Sequence, residues 1–106
     1  MNVGSINVTK QFSEYPAGRY RKDGFFSGEV FRDDWLAPYL DRHDVVEVDL
    51  DGAMGYGSSF LEEAFGGLVR KHKMKPSVLR QKLKIKSDDE PSLVDEIWIY
   101  IDDANT

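Results

Sequence analysis

Cysteine is absent from this sequence, and its absence excludes several kinds of chemistry. Disulfide crosslinks, thiolate metal sites and cysteine nucleophiles all need a thiol. Histidine is scarce, and the two present lack the paired carboxylate spacing that would support a metal site. We therefore expect neither a metal ion nor a cofactor to be bound.

Long apolar runs are also missing. No run approaches the roughly twenty residues that span a bilayer, and no basic-then-apolar segment near the N-terminus leads to a small-residue cleavage site. With 106 residues, 41% of them apolar, the chain can bury one core but is too short for two domains. We expect a single soluble, cytoplasmic domain over residues 1–106.

The signatures of common enzyme sites do not occur. Gly52, Gly55 and Gly57 lack the Lys-Ser/Thr ending of a P-loop and the spacing of a dinucleotide-binding motif. The run 55–60 contains no Gly-X-Ser-X-Gly sequence. Acid and base groups are available in one region, namely at Glu62, Glu63 and His72. Residue types alone do not define an enzyme, so we expect a protein without catalytic residues.

What the sequence does contain is a strand, a loop and a helix in direct succession over residues 44–69. The run 45–51 reads Val-Val-Glu-Val-Asp-Leu-Asp, in which apolar residues alternate with acids, and it predicts a central strand with one wetter face. A short loop follows, and its three glycines give the backbone access to positive φ.

The helix after this loop has a predicted start and a predicted buried face. Ser59 with Glu62 three residues later matches a capping box, in which each side chain binds a backbone N–H near the other. Six apolar residues recur at helical spacing: Phe60, Leu61, Ala64, Phe65, Leu68 and Val69.

Ser58 is left without a role once Ser59 is assigned to the cap. It lies at a helix N-terminus, where unpaired N–H groups and the helix dipole favour negative charge. A phosphate on Ser58 would be stabilised there, so Ser58 is our candidate phosphoacceptor. The alternative is that Ser58 is a second capping or turn residue.

Charge is unevenly distributed along the chain. The net charge is −5, yet no acid occurs between Ala64 and Ser87, and eight of the fourteen basic residues lie there. This basic segment, 70–86, could dock an acidic partner or nucleic acid, or it could be an ordinary solvated face. The low isoelectric point of about 4.9 favours the solvated face.

The N-terminal part predicts a strand, a loop and a second helix. Ser5 to Phe12 alternates as a strand, and the loop 13–27 either holds an anion or is pinned by buried aromatic rings. Ser27 is a suitable N-cap for a helix to about Arg42, in which Pro38 should introduce a bend or separate the last turn. The rings expected to pin the loop are Tyr15, Tyr20, Phe25 and Phe26.

The C-terminal part predicts a helical turn from Pro76 to about Lys82 and a short strand from Leu83 to Lys86. This would be an edge strand, whose lysines oppose pairing with the wrong strand. Pro91 suits the first turn of a last helix. The run 97–101 consists of strand-forming residues, so a strand there remains an open alternative.

Several short motifs together resemble a known family. A strand that ends in an acidic-glycine turn, followed by Ser-Ser at a helix start, is similar to the STAS domain (sulfate transporter and anti-sigma factor antagonist), whose signature is Asp-Ser-Ser-Gly-Leu. The resemblance is closer to a bacterial STAS-like family of unknown function. It rests on the runs 16–19, 27–29, 31–32, 57–60 and 63–68.

This resemblance implies a small α/β domain with about three to four strands and helices packed on the sheet. It also implies a regulatory domain that binds a protein partner, such as a kinase-like ATPase encoded nearby, which phosphorylates the serine matching Ser58. Gly57 and Phe60 depart from the signature, which has Asp and Gly there. The implied interaction surface, over about 55–71, includes Gly55, Tyr56, Gly57, Ser59, Glu62 and Arg70. The alternative function is nucleic-acid binding through the segment 70–86.

Overall fold

A three-stranded parallel sheet forms the centre of the computed structural model, which describes residues 1–105. The strands are β1 (Val3–Asn7), β2 (Val45–Asp49) and β3 (Leu83–Lys86), in the order β1-β2-β3. Val48 of β2 pairs with Ile6 on one side and with Ile85 on the other. The predicted central position of the strand at 45–49 is confirmed.

The two faces of the sheet differ in polarity. Ile6, Val46 and Val48 are buried under the helices. Glu47 and Lys84 lie on the other face, which stays open to solvent. This one-sided burial follows from the alternation of apolar and charged residues along β2 and β3.

Four helices within residues 1–105 supply the second layer. The first, α1 (28–42), runs without a break through Gly28–Phe31, Arg32–Leu36 and Ala37–Arg42, and α2 (58–70) through Ser58–Leu61, Glu62–Gly66 and Gly67–Arg70. The middle five residues of each have π-type hydrogen bonding. The remaining helices are α3 (Pro76–Lys82) and α4 (Ser92–Asp103). Val8–Phe12 and Arg21–Asp23 form short helical turns.

Several predicted elements are confirmed. Ser27 is the N-cap of α1, where its side chain accepts the N–H of Val30. The elements α3 and β3 have the predicted bounds. Residues 97–101 are helical, because Ile97 and Ile101 lie one turn apart and fill the core together.

The predicted first strand is too long at its C-terminal end. Pairing stops at Asn7, and the chain then turns within Val8–Phe12. The Asn7 side chain accepts the N–H of Lys10, and the N–H of Ser13 donates to the carbonyl of Val8. An asparagine that binds the backbone a few residues onward competes with strand pairing, which explains the early end.

Pro38 does not separate the last turn of the helix, which was one of its two expected effects. Helix α1 continues through Pro38 to Arg42. The π-type stretch Arg32–Leu36 lies directly before it.

The rings of the loop 13–27 are not buried as expected. Phe25 is 87% exposed and Tyr15 65%, and Tyr20 and Phe26 are exposed as well. The loop is held instead by polar contacts. The N–H of Gly28 donates to the carbonyl of Gly18, that of Ala17 to the carbonyl of Phe26, and Arg19 forms ion pairs with α2.

The helices α1 and α2 approach each other closely at Gly28. A Cβ atom on this residue would lie 2.5 Å from the carbonyl oxygen of Phe60, so only glycine fits. The close approach stacks Phe31 on Phe60, with ring centroids 5.9 Å apart, at the centre of the core.

Candidate functional site

The loop between β2 and α2 leaves the sheet at the carboxyl end of the central strand. It is tied to both neighbouring loops: Thr9 donates its hydroxyl to the carbonyl of Asp51 at 2.8 Å, and the N–H of Gly52 donates to Asp89 at 2.9 Å. Gly52 has a φ of 96° and lies against Thr9, so this position needs glycine. The three strand-end loops therefore form one surface.

Asp51 is the polar centre of this junction. Its carboxylate accepts the N–H groups of Asp89 at 2.9 Å and of Asp88 at 3.1 Å, and it pairs with Lys86 at 2.8 Å. The hydrogen bond from Asp89 and the pairing with Lys86 lower the pKa of Asp51 to about 2. The carboxylate is thus fully ionised at neutral pH and connects the β3–α4 loop to the β2–α2 loop.

Tyr56 is an anchor of the loop. Its hydroxyl donates to the carbonyl of Leu50 at 2.7 Å, and its ring packs on Phe60. Burial, together with the nearby Asp49 carboxylate, raises the pKa of this hydroxyl. Tyr56 therefore stays neutral and holds the loop against α2, while Gly55 and Gly57 beside it are exposed.

The predicted capping box at Ser59 is wrong. The N-cap of α2 is Gly57, and within residues 1–105 no side chain caps the first backbone N–H groups. Glu62 cannot serve as the second half of a box, because its carboxylate is bound by Arg19 and Arg70.

Ser58 and Ser59 both lie in the first turn of α2 and are exposed. No hydrogen-bond partner for either hydroxyl occurs among residues 1–105. The sequence predicted that Ser59 caps the helix and that Ser58 does not. Neither serine caps α2, and both hydroxyls are accessible.

Glu62 forms the exposed half of an ion-pair network. Its Oε1 contacts Nη1 of Arg19 at 2.5 Å, and Arg70 binds both carboxylate oxygens. Partial burial raises the pKa of Glu62, but the hydrogen bonds from Arg70 and Arg19 outweigh it, and the net pKa is lowered. Through Arg19, Glu62 fastens the loop 13–27 to α2, and Arg70 binds the same carboxylate from within α2. Their role as interaction residues stays a prediction.

Arg32 and Glu63 form the buried half of the network. They are 2% and 3% exposed, and Nη1 of Arg32 contacts Oε2 of Glu63 at 2.5 Å and the Glu63 carbonyl at 3.1 Å. A Cβ on Gly67 would lie 2.2 Å from the same Nη1, so the guanidinium occupies the space that glycine leaves. The composition gave no sign of this ion pair. The motif runs 31–32 and 63–68, however, contain Arg32, Glu63 and Gly67.

Four apolar side chains on the loops 13–27 and 50–57 are exposed, and we call them the apolar rim: Tyr15, Phe25, Phe26 and Met54. Met54 is 74% exposed, and its N–H donates to the carbonyl of Glu14 at 3.0 Å. The Phe26 ring packs edge-to-face on Phe12, whose ring also contacts Phe60, two residues after Ser58. Sequence reasoning placed these rings inside the core, since no periodicity in the loop separates buried from exposed aromatics.

The basic segment 70–86 is partly neutralised. Arg70, Arg80 and Lys86 pair with carboxylates, and Lys82 donates to the carbonyl of Leu40. The exposed lysines outside these contacts are Lys71, Lys73, Lys75 and Lys84. They are spread over the end of α2, the following turn and β3. This dispersion gives little support to a nucleic-acid groove.

Among residues 1–105, no group of three His, Asp or Glu side chains could hold a metal ion. No helix in that part of the chain is both long and apolar enough to cross a membrane.

A parallel sheet with helices on one face, and a glycine-rich loop that leads from the central strand to an exposed serine pair, define a small α/β domain of the STAS-like class. The sequence model of the family described as "STAS-like domain of unknown function (DUF4325)" matches residues 27–93, and the chain belongs to this family. The match extends from the N-cap of α1 into α4 and includes the buried ion pair. Searches of curated proteins and of solved structures gave no match.

Proposed function

We propose that this protein is a regulatory domain without enzymatic activity that binds a protein partner through the start of α2 and the apolar rim. The observation that carries the proposal is the exposure of Tyr15, Phe25, Phe26 and Met54 on two loops that meet where the N–H of Met54 donates to the carbonyl of Glu14. Exposed apolar groups that cluster at a functional loop are typical of protein–protein contacts. The family relationship supports the same class of function.

Phosphorylation of Ser58 is the proposed switch. A phosphate there would be favoured by the N-terminus of α2, a helix of thirteen residues with no acid in its first four. It would also place about two negative charges beside the apolar rim, where desolvation opposes partner binding. The partner in this scheme is a kinase-like ATPase encoded nearby, which phosphorylates Ser58 and loses affinity for the product.

Binding of the purified ATPase by isothermal titration calorimetry tests the proposal. We expect Phe25→Ser to weaken binding roughly tenfold, since a central aromatic contributes strongly to an interface, and Ser58→Asp to weaken it as well. Ile99→Ser is the control, because Ile99 is also an exposed apolar residue but lies on α4, outside the apolar rim. Equal loss with the control would contradict the use of the rim.

Intact mass after incubation with the ATPase and ATP tests the switch separately. The mass of one phosphate should appear on the wild type and on Ser59→Ala, and not on Ser58→Ala. Phosphate on Ser58→Ala, or none on the wild type, would remove the switch while leaving the binding result to decide the interaction itself.

A further inference from the structure

The outer edge of β3 is an unpaired sheet edge. The N–H of Leu50 donates to the carbonyl of Lys86 at 2.9 Å, so Lys84 and Lys86 direct their backbone groups toward β2. In a parallel ladder the direction alternates, and the N–H and carbonyl of Ile85 therefore point away from the sheet. Among residues 1–105 no group bonds to either of them.

A groove runs beside this edge on the helical side of the sheet. We call it the edge groove, and it is lined by Arg80, Leu83, Lys84, Ile85, Val94 and Trp98. Trp98 and Val94 of α4 are half-buried, so apolar surface remains accessible. The Arg80 guanidinium lies over the Trp98 ring at 4.9 Å and pairs with Asp102, which fixes the ring.

The two sides of the edge have different chemistry. On the helical side the groove is apolar. On the open face Lys84 of β3 lies opposite Glu47 of β2, and Lys86 lies opposite Asp49. Across the sheet, the acids of β2 lie beside the lysines of β3. A further strand with acids opposite these lysines would continue the alternation of negative and positive charge from strand to strand.

We propose that the outer edge of β3 binds an extended, acidic segment of a protein partner as a fourth strand. Its backbone would bond to the N–H and carbonyl of Ile85. Its apolar side chains would enter the edge groove against Trp98, and a carboxylate on its other face would pair with Lys84. This surface is separate from Ser58 and the apolar rim, so the inference does not depend on the proposed function.

A second copy of this chain does not suit the edge. Pairing two β3 strands would place Lys84 and Lys86 against the same lysines of the other copy, and like charges opposite each other are unfavourable. Arg80 and Lys86 are already paired with carboxylates, whereas Lys84 is exposed and has no ion pair among residues 1–105, so Lys84 is the group that favours an acidic partner.

The test uses a fluorescein-labelled, end-blocked peptide of ten alternating valine and glutamate residues, held at trace concentration while the protein is titrated. Fluorescence anisotropy should show saturable binding, and a valine–lysine peptide should bind roughly tenfold more weakly or less. Peptides N-methylated at either alternate set of residues give an internal control. One set should abolish binding and the other should retain it, because only one edge of the peptide faces β3.

Variants of the protein locate the peptide. Lys84→Gln should weaken binding about threefold, and Lys71→Gln, another exposed lysine without an ion pair, should not change it. Trp98→Ala should weaken binding roughly tenfold, and Ile99→Ala, on the neighbouring exposed position, should leave it unchanged.

Several results would overturn the inference. These are a lack of saturable binding, equal affinity for the acidic and basic peptides, or retained binding by both N-methylated sets. Displacement of the peptide by single-stranded oligothymidine would favour nucleic acid instead. A dimer in sedimentation that dissociates on Trp98→Ala would show that a second copy occupies the edge.

Discussion

Ser27 shows how burial gives one hydroxyl a role that other serines lack. It is fully buried, and its Oγ accepts the N–H of Val30 at 3.3 Å where the loop 13–27 enters α1. Ser59 is also in a helix-start sequence, but its hydroxyl faces solvent and has no partner among residues 1–105. The N-cap contribution therefore belongs to Ser27.

Ser27→Ala should lower the free energy of unfolding by about 1 kcal/mol, the usual effect of losing a capping side chain. Ser59→Ala should change it by less than about 0.5 kcal/mol, as for an exposed side chain without a specific contact. Urea unfolding at pH 7 measures both. Equal losses for the two variants would mean that Ser59 caps α2 after all.

The buried Arg32–Glu63 ion pair stabilises the contact between α1 and α2. The Arg32 side chain contacts Glu63, Asp33 and the backbone, and the Glu63 carboxylate also pairs with Arg19 and Arg70. Removing one partner of such a pair leaves a buried charge and costs about 3–5 kcal/mol. Motif residues in this domain therefore include several that hold α1 and α2 together.

At the scale of elements, the crossing of α1 and α2 determines the shape of the core. The Gly28 position admits no side chain, since Phe60 of α2 places a backbone oxygen there, and a backbone atom cannot rotate out of the way. The crossing brings Phe31 against Phe60 and Phe65, so one glycine permits an aromatic cluster.

Gly28→Ala should lower the free energy of unfolding by about 2 kcal/mol or more, because overpacking outweighs the better helix propensity of alanine. Ser92→Ala is the control, since it also introduces alanine in a first helical turn but at an exposed position. Thermal and urea unfolding of both variants give the comparison. An unchanged or higher stability of Gly28→Ala would show that the helices can separate at little cost.

Periodicity predicted the elements whose side chains meet the core on one regular face. The alternation at 45–49 and the helical spacing in α1 and α2 are such cases, and Ile97 with Ile101 resolved the last helix against its strand-forming composition. The early end of β1 depends on the hydrogen bond between Asn7 and Lys10. The capping box predicted at Ser59 fails because Arg19, 43 residues before Glu62, binds the Glu62 carboxylate. Contacts of that separation leave no local pattern.

For the whole molecule, the polar junction at Asp51 connects the three loops at the carboxyl end of the sheet. Thr9 reaches it from the β1 side, and Asp89 and Lys86 from the β3 side. The contacts from the β3 side are all made to the Asp51 carboxylate, so their contribution depends on its ionised form. Its effect on stability should therefore depend on pH.

The pKa of Asp51 is about 2 in the folded protein, below the value of about 3.9 for an unfolded aspartate. A group with a lowered folded pKa stabilises the protein above its unfolded pKa, and this stabilisation is lost as the pH falls through the folded pKa. Asp51→Asn should thus be less stable than the wild type at pH 5–7. The difference should shrink as the pH falls from about 4 to about 2.

Urea unfolding of both proteins across this pH range measures the effect. Asp41→Asn is the charge control, because Asp41 is exposed and has no ionic partner among residues 1–105. A difference between wild type and Asp51→Asn that stays constant down to pH 2 would mean that the side chain acts through its shape. A shrinking difference would show that the ionised carboxylate holds the loop surface together, which is the surface from which Ser58 and the apolar rim project.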